Sequence, residues 1–323
     1  MQEAQRRRKT RVALLSVASN TTLVLFKLVV GLLIGSVSVI SEAVHSGVDL
    51  IASLIALFAV RTASKPADEG HPFGHGKVEN ISGTIEALLI FGAAAYIIFE
   101  AVKKLLHPTP VESLGWGVTV MGFSAVANFF VSRLLFKVGR ETQSVALEAD
   151  GWHLRTDVYT SVGVMAGLAF MWLAQLVFPG HSWEWVDPVA ALGIAFLIIR
   201  AAYKLTVNAA RDLLDVSLPE EEFWIREYIA GLVPPVRGFH HMRTRKAGHM
   251  RFVEFHLLVD GEMSVEASHA ITESVERDIR EHFPESSVTV HIEPCDGSCQ
   301  QFCVDGCYLS DDTRKTVQER LRV

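Results

Sequence analysis

The chain has 323 residues, a formal net charge of −6 and four cysteines, and 50% of its residues are hydrophobic. Its mean hydropathy is +0.28, and its charged residues cluster between long apolar runs. This pattern excludes an ordinary soluble protein and indicates several membrane-spanning helices.

Membrane-spanning helices need about 20 mostly apolar residues, and the chain contains six runs of that kind. The predicted spans are Val12 to Ile34, Val37 to Val60, Ile81 to Leu105, Trp116 to Leu135, Val145 to Leu173 and Pro188 to Lys204. The second and fifth are the least apolar, so hydropathy alone would score them weakly, and their polar residues place them inside the bundle. We therefore predict an all-α, six-helix transmembrane domain over residues 12–215.

Lysine and arginine are concentrated in the loops on one side of the predicted bundle, and such an excess marks the cytoplasmic side. These residues are Arg6, Arg7, Arg8, Lys9, Arg11, Arg61, Lys65, Lys77, Arg133, Lys137 and Arg140. Lys103 and Lys104 oppose the rule, although long side chains at a helix end can reach the interface. Both termini are predicted to be cytoplasmic, with residues 1–11 as a basic N-terminal segment that is not cleaved.

The two least apolar spans carry the same motif, His45-x-x-x-Asp49 and His153-x-x-x-Asp157. Residues four apart share one face of a helix, so each motif points an imidazole and a carboxylate the same way. Two imidazoles and two carboxylates supply the four ligands of tetrahedral Zn²⁺ and neutralise its charge. The alternative is a set of interhelical hydrogen bonds, but ionisable residues inside spans are costly and usually functional, which favours a metal site.

The loop after the second span places Asp68, His71 and His75 within eight residues. These side chains predict a second metal site, and the alternative is a turn with incidental histidines. The same stretch resembles a phosphate-binding loop but fails, because its glycine spacing is one residue too long and Val78 stands where Ser or Thr is required. Without a phosphate loop the sequence gives no support for an ATP-driven pump. No H-E-x-x-H motif occurs, so a zinc protease has no support either, and we expect no enzyme activity.

Beyond about Asp215 the chain becomes polar, and residues 216–294 predict a small soluble α+β domain with the order αββαβ. Its predicted elements are Glu220 to Leu232, Val236 to Thr244, His249 to Asp260, Ser264 to Phe283 and Ser287 to Glu293. Alternation along the strands gives the sheet one apolar and one polar face. The polar positions include His240, His256, His269, His291 and Glu293, which favours peripheral metal binding over solvated surface histidines.

All the cysteines lie in the tail, residues 295–323, as Cys295-x-x-x-Cys299-x-x-x-Cys303-x-x-x-Cys307. Four thiolates can hold zinc, Cu⁺ or an iron–sulfur cluster, although the spacing differs from a C-x-x-C knuckle. A cytoplasmic location keeps thiols reduced and disfavours disulfides. Metal binding and a disordered reactive tail both remain open.

From about residue 12 to Pro294 the chain resembles the cation diffusion facilitators, and it is most similar to the bacterial zinc and iron exporters of that family. The motifs that carry the resemblance are the paired ligands on spans two and five, F-G-H-G-K at Phe73 to Lys77, L-L-D-x-x-L-P at Leu213 to Pro219, H-x-x-R-T-R at His240 to Arg245 and V-H-x-E-P at Val290 to Pro294. The resemblance implies a homodimer, a cytoplasmic domain with a metallochaperone-like, ferredoxin-like fold, and proton-coupled export.

The resemblance also assigns residues to sites. It implies a transport site formed by His45, Asp49, His153 and Asp157. It implies a loop site formed by Asp68, His71 and His75. It implies cytoplasmic sites formed by His240, His256, His269, His291 and Glu293. It further suggests a salt bridge between Lys77 and Asp215. Close bacterial relatives commonly have Asp at the positions of His45 and Glu293; His at the first position resembles the zinc-selective animal and plant branch.

We therefore expect a proton-coupled antiporter in a bacterial inner membrane that exports Zn²⁺, because imidazole ligands disfavour Mn²⁺ and Mg²⁺. Cd²⁺, Co²⁺, Ni²⁺ and Fe²⁺ remain possible substrates. We expect zinc to serve also as a regulatory or structural ion and protons to be the counter-ion. The expected partners of the chain are the lipid bilayer and a second copy of itself, and we expect no binding to nucleic acid. The alternative is a membrane-bound metal sensor or scaffold, which would need no ligands within the spans.

Overall fold

A computed structural model of the chain describes residues 2–34, 37–107, 115–177, 185–297 and 299–320. These residues form two compact units, Met1–Arg211 and Asp212–Val323, which are considered separately below.

The first unit is built from long helices. They are α1 (Gln2–Ile34), α2 (Val37–Ala63), α3 (Lys77–Leu106), α4 (Gly115–Glu141), α5 (Val145–Val177) and α6 (Val186–Leu213). Several begin or end well outside the predicted spans; α1, for example, begins at Gln2 and not at Val12. The added turns are polar, because hydropathy marks the part of a helix that suits lipid and not its full length.

Within the described residues, five stretches are long and apolar enough to cross a membrane: Glu3–Leu33, Ala43–Ala63, Lys77–Leu106, Thr119–Glu141 and Pro188–Leu213. The stretch on α2 qualifies, so the expectation that this span would score weakly was wrong. Helix α5 is not among the five, and its described part carries Asp150, Arg155 and Asp157. Its role as a sixth span therefore stays a prediction.

One hydrophobic core of this unit forms where α1, α2, α4 and α5 meet, and a second forms among α3, α5 and α6. Several buried residues of α1 and α2 are small, including Ala13, Ala52 and Ala56, each fully buried. Such residues let helix backbones approach closely in a membrane. Larger buried side chains, including Leu135 and Leu154, complete the first of these cores.

The second unit confirms the predicted αββαβ order and adds two short helices in the tail. Its elements are α7 (Pro219–Ala230), β1 (Val236–Ala247), β2 (Met250–Val259), α8 (Val265–His282), β3 (Ser286–Pro294), α9 (Gln301–Val304) and α10 (Asp311–Arg320). The three-stranded sheet has the order β1-β2-β3, with β1 antiparallel and β3 parallel to the central β2.

One face of this sheet packs against α7 and α8. The alternation in β2 is as predicted: Val253, Phe255 and Leu257 are almost fully buried, and they share a core with Ile225 of α7 and Ile279 of α8. The sheet register places His240, His256 and His291 side by side across the three strands. The fold thus gathers the strand histidines at one level of the sheet.

Candidate metal centres

The two His-x-x-x-Asp motifs meet between α2 and α5. Ligand atoms of His45, Asp49 and Asp157 all lie within 4.8 Å of one another, and His153 Nε2 lies 3.1 Å from Asp49 Oδ1. Two ligands of one tetrahedral zinc ion would be about 3.3 Å apart, given metal–ligand distances of about 2.0 Å. Asp49 and His153 therefore already stand at the spacing that a shared ion requires.

Neighbouring polar residues hold this group in place. Asn20 Nδ2 of α1 donates to the backbone oxygen of Asp49 at 3.3 Å, and Asn128 Nδ2 of α4 donates to Asp157 Oδ2 at 3.5 Å. Asp49 and His153 are buried, whereas His45 is exposed. The group is thus buried at Asp49 and His153, one residue from each motif, and exposed at His45.

The loop residues also come together. His75 Nε2 lies 3.3 Å from Asp68 Oδ2 and His71 Nδ1 lies 3.3 Å from Asp68 Oδ1, and the ligand atoms of all three residues lie within 4.8 Å of one another. The backbone N–H of His71 donates to the Asp68 carboxylate and lowers the pKa of Asp68. Gly74 closes the turn with a φ of +80°, a conformation that glycine adopts without strain.

The strand histidines of the second unit surround one carboxylate. The distances from Glu293 oxygens are 3.0 Å to His240 Nε2, 2.8 Å to His256 Nδ1 and 3.4 Å to His291 Nε2. Burial lowers the pKa of His240, which favours the neutral imidazole that a metal needs. Ligand atoms of His240, His256 and Glu293 lie within 4.8 Å of one another.

Within one chain His269 is not part of this cluster, and its assignment to a cytoplasmic metal site stays a prediction. It lies on α8, its side chain is 70% exposed, and its nearest acidic partner is Glu273 at 3.5 Å. His241, which was not predicted, does approach: its ring centroid lies 4.6 Å from that of His240. His241 has a left-handed φ of 52° at a register shift in β1, which strand alternation does not reveal.

The four tail cysteines line one small pocket together with Arg237, Leu258 and Arg314. Burial and the other three cysteines raise the pKa of the Cys303 thiol to about 11. Among the described residues, no three of these sulfur atoms form a group as tight as the three above, whose ligand atoms all lie within 4.8 Å.

Comparison with known proteins supports a common ancestry over most of the chain. Residues 13–214 match the family model described as the cation efflux transmembrane domain, and residues 218–295 match the cation efflux protein, cytoplasmic domain. The chain belongs to the cation efflux family. It is a cation efflux transporter, an integral membrane protein with a cytoplasmic dimerisation domain.

Similar proteins include bacterial transporters. An uncharacterized transporter of Synechocystis sp. is 35% identical over 286 residues, which cover 87% of this chain and 89% of that protein. The cation-efflux pump FieF of Shigella flexneri is 33% identical over 298 residues, covering 91% and 96%. A solved structure of the putative zinc transporter CzrB in its zinc form is 35% identical over 27% of this chain and 99% of that one, with a TM-score of 0.25.

The transporter buries more ionisable side chains in its helices than the sequence prediction recognised. Lys9 Nζ lies 3.1 Å from Glu79 Oε1, and Ser144 Oγ donates to Glu79 Oε2 at 2.6 Å. Glu86 and Asp150 are fully buried, and neither Glu86 Oε2 nor either Asp150 carboxylate oxygen has a hydrogen-bond partner among the described residues. The sequence itself indicates these residues, because an ionisable residue in or beside a membrane span usually has a function or a charged partner.

The predicted salt bridge between Lys77 and Asp215 would join the two units and stays a prediction. Within the second unit, Asp215 lies 3.6 Å from Arg245 Nη1.

Proposed function

We propose that this cation efflux transporter exports Zn²⁺ from the cytoplasm in exchange for protons. The observation that carries the proposal is the group formed by His45, Asp49 and Asp157, with His153 in contact with Asp49. These residues lie on α2 and α5 of the transmembrane domain, where buried ionisable groups are expensive unless they have a function.

The composition of this group favours zinc. Two neutral imidazoles and two carboxylates give four nitrogen and oxygen ligands, the number that zinc adopts, and no net charge once a divalent ion is bound. A six-coordinate ion such as Mg²⁺ would require two further oxygen ligands. Cd²⁺, Co²⁺, Ni²⁺ and Fe²⁺ share enough chemistry with zinc to compete, so ion competition belongs in the test.

Proton exchange follows from the same ligands. His45 and His153 bind a metal only when their ligating nitrogen atoms are free of protons, so loading releases protons and an acidic exterior promotes unloading. When the ion leaves, Asp49 and His153 can hold a proton between them across the 3.1 Å contact. Access would alternate as the helices around this fixed site rearrange, in the manner of other secondary transporters.

The remaining sites are proposed to control transport and not to carry ions. The loop group of Asp68, His71 and His75 and the cluster around Glu293 lie in a connecting loop and in the cytoplasmic domain. Zinc bound there would favour one arrangement of a homodimer to the extent that it binds that arrangement more tightly. We also propose a bacterial inner membrane with both termini in the cytoplasm.

The experiment is zinc flux in proteoliposomes that contain the purified transporter and a zinc-sensitive dye. Zinc supplied outside should enter the vesicles at a rate proportional to the amount of protein, and Cd²⁺ should compete better than Mn²⁺. Zinc that binds to the protein without entering the lumen would overturn the proposal and favour the sensor. Stronger competition by Mn²⁺ would overturn the assignment of zinc.

A further inference from the structure

The C-terminal cysteines gather at one end of the cytoplasmic sheet, at and beyond the end of the segment that matches the family model. Cys295 directly follows β3, Cys303 lies on α9, and Cys307 pairs with Gly238 of β1 as an isolated antiparallel bridge. With Cys299 they line one largely enclosed pocket whose volume is about 10 Å³. That volume accepts about one small atom or water molecule.

The segment that carries these cysteines is docked on the sheet through its backbone. Strand β1 is an edge strand, and its Phe239 N–H donates to the Gly306 oxygen at 3.0 Å, while the Tyr308 N–H donates to the Arg237 oxygen at 2.9 Å. A Cβ atom on Gly306 would lie only 1.9 Å from the Phe239 oxygen. Because glycine alone permits this approach, the sequence is suited to the docked position, and the disordered-tail alternative loses support.

Tyr308 packs against the core of the sheet, but apolar burial gives the helix α10 that follows it little stability. Helix α9 has four residues, and α10 has the sequence DDTRKTVQER; within α10 the buried hydrophobic residue is Val317. Isolated helices of such lengths are marginal in water. Small, weakly packed elements are commonly fixed by a disulfide or a metal ion.

We propose that Cys295, Cys299, Cys303 and Cys307 bind one zinc ion as a four-thiolate site, and that this ion fixes the C-terminal segment to the free edge of β1. On binding, each thiol releases its proton to solvent. Four thiolates at zinc–sulfur distances of about 2.3 Å would stand about 3.8 Å apart, so the sulfur atoms must move together from their present spacing.

The surroundings of the pocket suit such a centre. Four thiolates and one Zn²⁺ carry a net charge of −2, and two cationic residues, Arg237 and Arg314, are among those that line the same pocket. Arg237 also contacts Asp260, and Arg314 contacts Asp311, which holds both side chains in position. The apolar residues of the lining, Leu258, Leu309 and Val317, limit access of water.

Cobalt substitution tests the site without measuring transport. Full-length protein in detergent, reduced and titrated with Co²⁺, should develop thiolate-to-cobalt charge-transfer absorption whose final intensity corresponds to one thiolate-bound ion per chain. The band should vanish in the variant with Cys295→Ser, Cys299→Ser, Cys303→Ser and Cys307→Ser, and should persist in His256→Ala, which alters the neighbouring histidine cluster. Absence of the band in the reduced wild type, or its survival in the serine variant, would overturn the proposal.

Hydrogen exchange tests the fixing role in the wild-type chain itself. The amides of Phe239 and Tyr308 should be protected with zinc bound and should exchange markedly faster after zinc is removed by a chelator, whereas the central β2 amides should not change. If Phe239 and Tyr308 stay protected without zinc, the ion does not hold the segment. Thiol alkylation of the same samples should modify all four cysteines after chelation; unreactive cysteines would show disulfides and would also overturn the proposal.

Discussion

Replacing Asp157 by alanine should abolish zinc transport while the protein remains folded. The change removes one of three groups whose ligand atoms lie within 4.8 Å of one another, and it leaves a divalent ion with one compensating carboxylate. Loss of a residue that only supports a ligand costs about 10–100-fold in metal affinity, or about 1.4–2.7 kcal/mol. Loss of the ligand itself should exceed about 100-fold, which places flux at background at micromolar zinc.

Asn128 provides the matched comparison. Its amide donates to Asp157 Oδ2 over a long 3.5 Å contact, so Asn128→Ala should cost near the lower limit, about tenfold in the zinc concentration for half-maximal flux. Thr160, whose hydroxyl donates to the Asp157 backbone oxygen at 3.0 Å, can be changed to valine as a control that leaves the carboxylate intact.

The assay is initial zinc flux in proteoliposomes with equal amounts of monodisperse protein. The reasoning predicts the order wild type and Thr160→Val, then Asn128→Ala, then Asp157→Ala at background. Near-normal flux from a correctly inserted Asp157→Ala would refute the four-ligand transport site, and so would a smaller loss for Asp157→Ala than for Asn128→Ala.

Four further predictions follow from other parts of the chain. His45→Asp should extend flux toward Cd²⁺ or Mn²⁺, because an added carboxylate makes the site harder; unchanged competition curves would show that ligand type does not set selectivity. Glu293→Ala should remove zinc from the cytoplasmic cluster, because three histidines of the cluster contact that carboxylate. Replacing His269, whose side chain is 70% exposed, should leave zinc in this cluster. Elemental analysis that finds less bound zinc after the His269 change than after Glu293→Ala would contradict the assignment. Glu79→Ala should lower the stability of the protein in detergent by about 3–5 kcal/mol, because Lys9 is left buried without its partner. Adding Lys9→Met should recover most of this loss. An unchanged melting temperature for Glu79→Ala would argue against the buried pair. Burial and the hydrogen bond to Asp278 raise the pKa of Tyr228, so the cytoplasmic domain should lose stability to urea as the pH rises past the ordinary tyrosine value of about 10. Tyr228→Phe should remove that decline; a decline that persists in this variant would show that another group is responsible.

The sequence predicted the local parts of this architecture because they depend on periodicity. The spacing of His45 and Asp49, and that of His153 and Asp157, puts a histidine and an aspartate on one face of each of α2 and α5. Alternation in β2 likewise predicted which side chains enter the core, among them Phe255.

The remaining features depend on contacts between distant segments. His269 lies on α8 with its side chain 70% exposed, and strand alternation does not predict where a residue on a packed helix lies. The docking of the tail on β1 requires Gly306 to meet Phe239, residues 67 positions apart in the sequence. The sequence does not predict the pair of Lys9 and Glu79, because hydropathy places Lys9 before the first span as a loop charge, whereas α1 already includes it.

The central claim, exchange of zinc for protons, is tested most directly with equal zinc on both sides of the vesicle membrane and a pH gradient alone. An antiporter predicts net zinc movement toward the acidic side, with about tenfold accumulation per proton exchanged for each unit of pH, and reversal when the gradient is reversed. No net movement of zinc under either gradient, in vesicles that do carry zinc down a zinc gradient, would contradict the account.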